Sequence, residues 1–76
     1  MAERKQVHVV YENLVWKVKV VGESAARSTH STKADAVAAG RRVAKSLAPS
    51  ELYIHNMDGT ISERETYEAD PYPPRG

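Results

Sequence analysis

The order of apolar patterns predicts a small α+β domain. One helix packs on one face of a mixed or antiparallel sheet of four to five strands, in the order β-β-(β)-α-β-β. Three observations carry this. Thr32 to Leu47, TKADAVAAGRRVAKSL, repeats its small and apolar residues with a helical period. The segments on either side alternate apolar and polar residues with a period of two. Turn residues separate these runs: Asn13, Gly22, Pro49 and the pair Asp58-Gly59.

The first strand is Gln6 to Tyr11, QVHVVY, rich in β-branched residues. Glu12 to Leu14 turns the chain. Val15 to Val21, VWKVKVV, is the second strand, with Trp16, Val18 and Val20 on one side and Lys17 and Lys19 on the other. A hairpin that faces Tyr11 with Trp16 also faces Val9 with Val18 and Val7 with Val20. A slip by one residue buries both lysines, so the pattern specifies the register. Gly22 to Ala26 is a turn, and Arg27 to Ser31 is a short third strand feeding the helix.

In the helix, Ala36, Val37, Gly40, Val43, Ala44 and Leu47 share the apolar face. Thr32 stands where an N-cap belongs, and Asp35 puts a carboxylate at the positive end of the helix dipole. Arg41, Arg42 and Lys45 lie toward the negative end, off the apolar face. Pro49 ends the helix. Glycine in mid-helix costs about 1 kcal/mol against alanine, so Gly40 marks a close approach of helix to sheet. Glu51 to Asn56, ELYIHN, is a strand with Leu52 and Ile54 inward and Tyr53 and His55 outward. Asn56 to Gly59 is a hairpin turn. Thr60 to Thr66, TISERET, closes the sheet as an edge strand whose one strong apolar residue is Ile61. A return from the helix places the Leu52 strand beside the first strand. The expected core is Trp16, Val18, Leu52, Ile54, Val37, Val43 and Leu47.

With 76 residues there is one domain, read as residues 1–66, followed by an extended tail over 67–76 with Pro71, Pro73 and Pro74. A chain this short buries only roughly 60% of its unfolded surface. It has no cysteine, so neither a disulfide nor a cysteine-zinc site staples it. A dimer interface is one remaining way to add buried area. No apolar run approaches the roughly 18 residues of a membrane span, and no apolar signal core follows MAERKQ. The expected location is the cytoplasm.

The net charge is +1, but the halves differ. Met1 to Ser50 carries nine Lys/Arg against four Asp/Glu; Glu51 to Gly76 carries two against six. These ends attract each other, within one molecule or between two.

The motif order resembles the short bacterial proteins grouped as domain-of-unknown-function family 2188. The residues that carry the resemblance are Val7-His8-Val9-Val10, Trp16-Lys17-Val18, Thr32-Lys33-Ala34-Asp35-Ala36, Leu52-Tyr53-Ile54-His55, Asp58-Gly59-Thr60-Ile61, and the end from Tyr67 through Asp70-Pro71-Tyr72-Pro73-Pro74-Arg75-Gly76. Asp35 replaces the family's usual Glu, and Leu14-Val15 stands where Gly is common before the Trp. The resemblance implies the fold above and a bacterial or phage origin; it brings no activity and no functional residue.

Chemistry-bearing constellations are sparse. His8, His30 and His55 are the only soft metal ligands, and His8 and His55 fall on adjacent strands. Zinc takes three or four ligands, and no motif spacing supplies them. No serine lies in a nucleophile elbow, the four glycines form no phosphate loop, and Glu63 and Glu65 share an exposed strand face. An enzyme, a cofactor, a metal and a small-molecule substrate are therefore not expected. The candidate binding surface is the outer sheet face: His8, Lys17, Lys19, Tyr53 and His55. A second candidate is the basic helix back, Arg41, Arg42 and Lys45. A third is the tail, with Tyr67, Asp70, Pro71, Tyr72, Pro73 and Pro74 offered to an aromatic groove. The expected function is that of a protein-interaction or self-associating module. The alternative is weak nucleic-acid binding through the outer face or the helix back.

Overall fold

A computed structural model describes residues 4–68. Five strands and one helix follow each other as β1 (Lys5–Glu12), β2 (Val15–Val20), β3 (Ser28–His30), α1 (Lys33–Ser46), β4 (Ser50–His55) and β5 (Ile61–Tyr67). The sheet order is β3-β2-β1-β4-β5. All neighbours are antiparallel except β1 and β4, which run parallel. The sheet is therefore mixed, and the helical crossover is what allows the parallel pair.

The β1–β2 hairpin has the predicted register: Tyr11 faces Trp16, Val9 faces Val18 and Val7 faces Val20. Glu12 belongs to the strand, opposite Val15, so the turn is Asn13-Leu14 alone. Both take positive φ, 52° and 69°. A two-residue turn of this kind matches the twist of the strands, and asparagine and glycine suit it best. Leucine does not, since its Cβ crowds the backbone in this region. Leu14 is 83% exposed and has little to lose in contacts. Leu14→Gly is therefore expected to stabilise the fold by about 0.5 kcal/mol, the relief of strain exceeding the entropy glycine adds to the unfolded chain. A rise of about 2–4 °C in the thermal midpoint checks this; a fall would show that Leu14 holds the hairpin by contacts.

The helix starts as its sequence requires. Thr32 is extended, and its hydroxyl accepts from the Asp35 N–H at 3.2 Å. The face turned to the sheet is narrower than the apolar stripe. Ala36, Gly40 and Ala44 are buried, whereas Val37, Val43 and Leu47 are only partly covered at the flanks. The expectation that these three larger residues form the core is corrected by this. Small residues at i, i+4 and i+8 let the helix axis come close, which displaces the larger side chains to the sides. At the helix end, the buried Ser50 donates its hydroxyl proton to the Ala44 carbonyl at 2.6 Å, tying α1 to the start of β4.

The core is Val7, Val9, Trp16, Val18, Val20, Ala36, Ala44, Leu52 and Ile54. Tyr11 lies against Trp16, with ring centroids 5.0 Å apart. Lys33 sits 5.7 Å over the Trp16 ring and donates to Asn56 Oδ1 at 3.1 Å, which joins the helix start to the last hairpin. In that hairpin Gly59 has φ 93°, and Asp58 Oδ1 accepts from the Thr60 N–H and hydroxyl.

β5 is an edge strand, as its charges suggest. Ile61, whose side the sequence left open, is 56% exposed, and a register shift beside Ile54 and His55 places it opposite His55. Tyr67 is the last residue of the strand and packs against the core, so the folded unit extends one residue past Thr66.

Candidate functional site

The helix covers one face of the sheet, and no other described element covers the second. Alternation along β1, β2 and β4 puts His8, Val10, Glu12, Lys17, Lys19, Glu51, Tyr53 and His55 on that second face. All are half-buried by their neighbours. The predicted outer-face residues His8, Lys17, Lys19, Tyr53 and His55 are thus brought together.

Their centre is a stack of rings. His8 and Tyr53 are partners across the parallel pair, with centroids 4.8 Å apart and planes at 17°. His8 also stacks on His55, at 5.1 Å and 29°. His8 Nδ1 lies 2.9 Å from His55 Nε2, and His55 Nδ1 lies 3.1 Å from the Gly59 carbonyl oxygen. A carbonyl oxygen only accepts, so neutral His55 carries its proton on Nδ1. Its Nε2 is then the acceptor, and His8 donates from Nδ1. Burial, and then the neighbouring His55, hold the His8 pKa below the ordinary 6.5.

The folded protein consequently prefers neutral His8 more than the unfolded chain does. This contribution to stability is complete above about pH 6.5 and is lost as pH falls through the window beneath it.

Two lysines beside the stack share one carboxylate. Lys19 donates to Glu12 Oε1 at 2.8 Å and Lys17 approaches the same oxygen at 3.5 Å. The Lys19 hydrogen bond is the main reason the Glu12 carboxyl titrates below its ordinary range. Tyr53 donates its hydroxyl proton to Glu51, which raises the phenol pKa. Arg64 of β5 lies 6.0 Å over the outer side of the Tyr53 ring. Sequence reasoning named the cations of this face and missed its two carboxylates, Glu12, which pairs with both lysines, and Glu51, which accepts from Tyr53. The signal was present in the alternation, since Glu12 continues the His8–Val10 side of β1.

The basic helix back is less basic than its sequence. Arg41 is bound by Glu65 of β5, with Nη2 to Oε2 at 2.6 Å, and this pairing lowers the Glu65 carboxyl pKa. Arg42 and Lys45 are exposed, on the far side of the molecule from His8. Of the tail residues, Tyr67 donates to Glu65 Oε1 at 2.6 Å; Asp70, Pro71, Tyr72, Pro73 and Pro74 lie outside the described residues.

His30 stands on the helix side of the sheet, opposite Trp16, so the three histidines do not form one cluster. Its Nε2 is 2.8 Å from the Ser28 hydroxyl, a pairing the sequence reading did not anticipate although residues two apart on a strand share a face. Among the described residues no group accepts from His30 Nδ1, so the third member of a serine–histidine–acid arrangement is missing. Among the described residues no three His, Cys, Asp or Glu are grouped to hold a metal ion, and no helix is long and apolar enough to cross a membrane.

Fold and surface together define a small helix-on-sheet domain in which, among the described residues, the helix covers one sheet face and nothing covers the other. The model of the family described as uncharacterised protein conserved in bacteria, DUF2188, matches residues 7–67. The chain belongs to this family, as the motifs from Val7 to Tyr67 indicate. Comparison with curated proteins and with solved structures gives no match.

Proposed function

We propose that the chain is a non-enzymatic interaction module that pairs with a second copy of itself through the outer sheet face. The observation that carries this is the face that no described element covers: a half-buried strip of His8, Val10, Tyr53 and His55, flanked by two lysines on Glu12 and by Glu51 accepting from Tyr53. Interface centres are rich in aromatic residues and poor in unmatched charge, with polar groups at the rim. A domain of this size also gains more from added buried area than a large one does.

A two-fold axis along β1 gives the pairing its logic. β2 and β4 flank β1 on opposite sides. The axis therefore sets β2 of one copy over β4 of the other, bringing the Lys19 side against the Glu51 side twice. Nucleic-acid binding has less support. Lys17 and Lys19 are engaged by Glu12, and Arg41 by Glu65. The rings stack on one another instead of presenting an open platform to a base.

Sedimentation velocity at about 50 μM tests the reading with the full chain and with Val10→Glu and Tyr53→Glu. The expected result is a dimer mass for the parent and a monomer mass for both folded variants. A parent that stays monomeric overturns it, as does a dimer indifferent to both substitutions. Light scattering of a chain ending at Glu68 separates the tail from the face: the dimer is expected to survive. A low-salt gel shift with single- and double-stranded DNA and RNA is expected to show no retardation; retardation abolished by Arg42→Glu and Lys45→Glu favours the alternative.

A further inference from the structure

We infer that the His8–His55 pair is a proton-operated latch on the outer face, closed with one shared proton or none and opened by a second. This rests on the docking reading above and adds its regulation.

With no added proton, His55 donates from Nδ1 to the Gly59 carbonyl and accepts at Nε2 from His8 Nδ1. His8 Nε2 is then a lone pair. The first added proton makes the pair singly cationic and leaves one charge-assisted N–H···N hydrogen bond between the rings. The second proton has only the accepting nitrogen of that bond to bind. Two N–H groups on two cationic rings then point at each other across 2.9 Å. That contact cannot persist, and the rings separate.

The surroundings do not offset the second charge. β2 contributes Lys19 directly beside His8 and Lys17 one pair further along. β4 contributes Tyr53 and Glu51, and β5 contributes Arg64 over Tyr53. On β1 the one carboxylate is Glu12, which is engaged by the two lysines. Glu51 is engaged by Tyr53. Among the described residues neither carboxylate hydrogen-bonds to a histidine of the pair.

Opening the pair undoes the ring stack at the middle of the docking strip. It also places like charges on both sides of a two-fold interface, where they repel. Acid therefore dissociates the dimer. The device is an interaction between groups on β1, β4 and the turn after β4, so it exists only in the folded chain.

The test has two readouts on the full chain. The first is the titration of the imidazole carbon-bound protons by NMR from about pH 8 to about pH 4.5, with His30 on the opposite face as a reference. His8 and His55 are expected to report two common steps more than about one pH unit apart. Single independent steps near the free value of about 6.5 for both rings overturn the latch. The second readout is the dimer dissociation constant, expected to rise at least about tenfold between pH 7.5 and pH 5. In His8→Gln the pH dependence is expected to disappear, and His55 to titrate in one step. A dimer equally tight at both pH values overturns the latch and leaves the docking reading standing. A parent monomeric at both pH values, with the two-step titration intact, overturns the docking reading and leaves the shared proton standing.

Discussion

Gly40→Val is expected to leave the chain unfolded, or nearly so, at 25 °C. A Cβ at position 40 alone would stand 2.8 Å from Val9 Cγ2 and 3.2 Å from Leu52 Cδ1. Both neighbours are fully buried, Val9 on the central strand β1 and Leu52 on β4 beside it. Val9 is stiff at χ1 and cannot swing its methyl aside. Overpacking costs about 1–3 kcal/mol for small additions, and valine adds two further methyls beyond the Cβ. The total stability of a domain of this length is on the order of 4–11 kcal/mol. Gly40→Ala is the gentler test of the same contact. Helix propensity favours alanine by about 1 kcal/mol, which opposes the clash. The clash wins because the helix has no room to lift: Ala36 and Ala44, one turn to either side, are buried as well. A net loss of about 1 kcal/mol is expected, read from urea unfolding by the fluorescence of Trp16, the single tryptophan. Val9→Ala should offset part of it in the double variant, giving a favourable coupling between the two sites. Additive losses would show that the helix is seated elsewhere.

Leu52→Ala is expected to cost about 3–4 kcal/mol. Leu52 is fully buried and is among the largest such side chains of the core. It lies between Val7 of β1 and Glu65 of β5, under Gly40 of the helix. No larger helix residue stands above it to fall into the space, so the cavity stays open. The same change at the half-buried Val37 is expected to cost about 1 kcal/mol. Equal costs at the two positions would mean that the apolar flank of α1, and not the seam at Gly40, carries the helix.

These two effects show where sequence pattern was sufficient and where it was not. Periodicity put Gly40 on the apolar face and its composition implied a close approach, which the 2.8 Å separation makes concrete. Periodicity could not rank Val37, Val43 and Leu47 below Ala36 and Ala44. A helical wheel gives direction but not depth, and depth here is set by how near the helix axis sits to the sheet. Ile61 is a similar case. Alternation in an edge strand did not fix its side, and the register shift opposite His55 leaves it exposed. A one-residue irregularity leaves no mark in a pattern whose partners are all polar.

For the outer face the balance is different. Val7, Val9, Tyr11, Trp16, Val18, Val20, Leu52 and Ile54, and the outer-face His8, Lys17, Lys19, Tyr53 and His55, were assigned to their sides by alternation alone, and His8 and His55 were recognised as neighbours. What alternation cannot supply is the partner across space. Arg41 meeting Glu65, Lys19 meeting Glu12 and His8 meeting His55 depend on side-chain reach and strand order. The separation of His30 from the other two histidines follows from its place opposite Trp16 in the third strand, a pairing visible only in the folded sheet.

By itself, then, the sequence determined the element order, the hairpin register, the caps and the sides of the sheet. All of these are local, written in the periods of 2 and 3.6 and in the residues that turns and helix ends demand. The tertiary structure decided the depth of the helix, the pairing of charges and the joining of two histidines into one proton-sharing unit. These are set by close approach between segments distant in the chain, which no local period encodes.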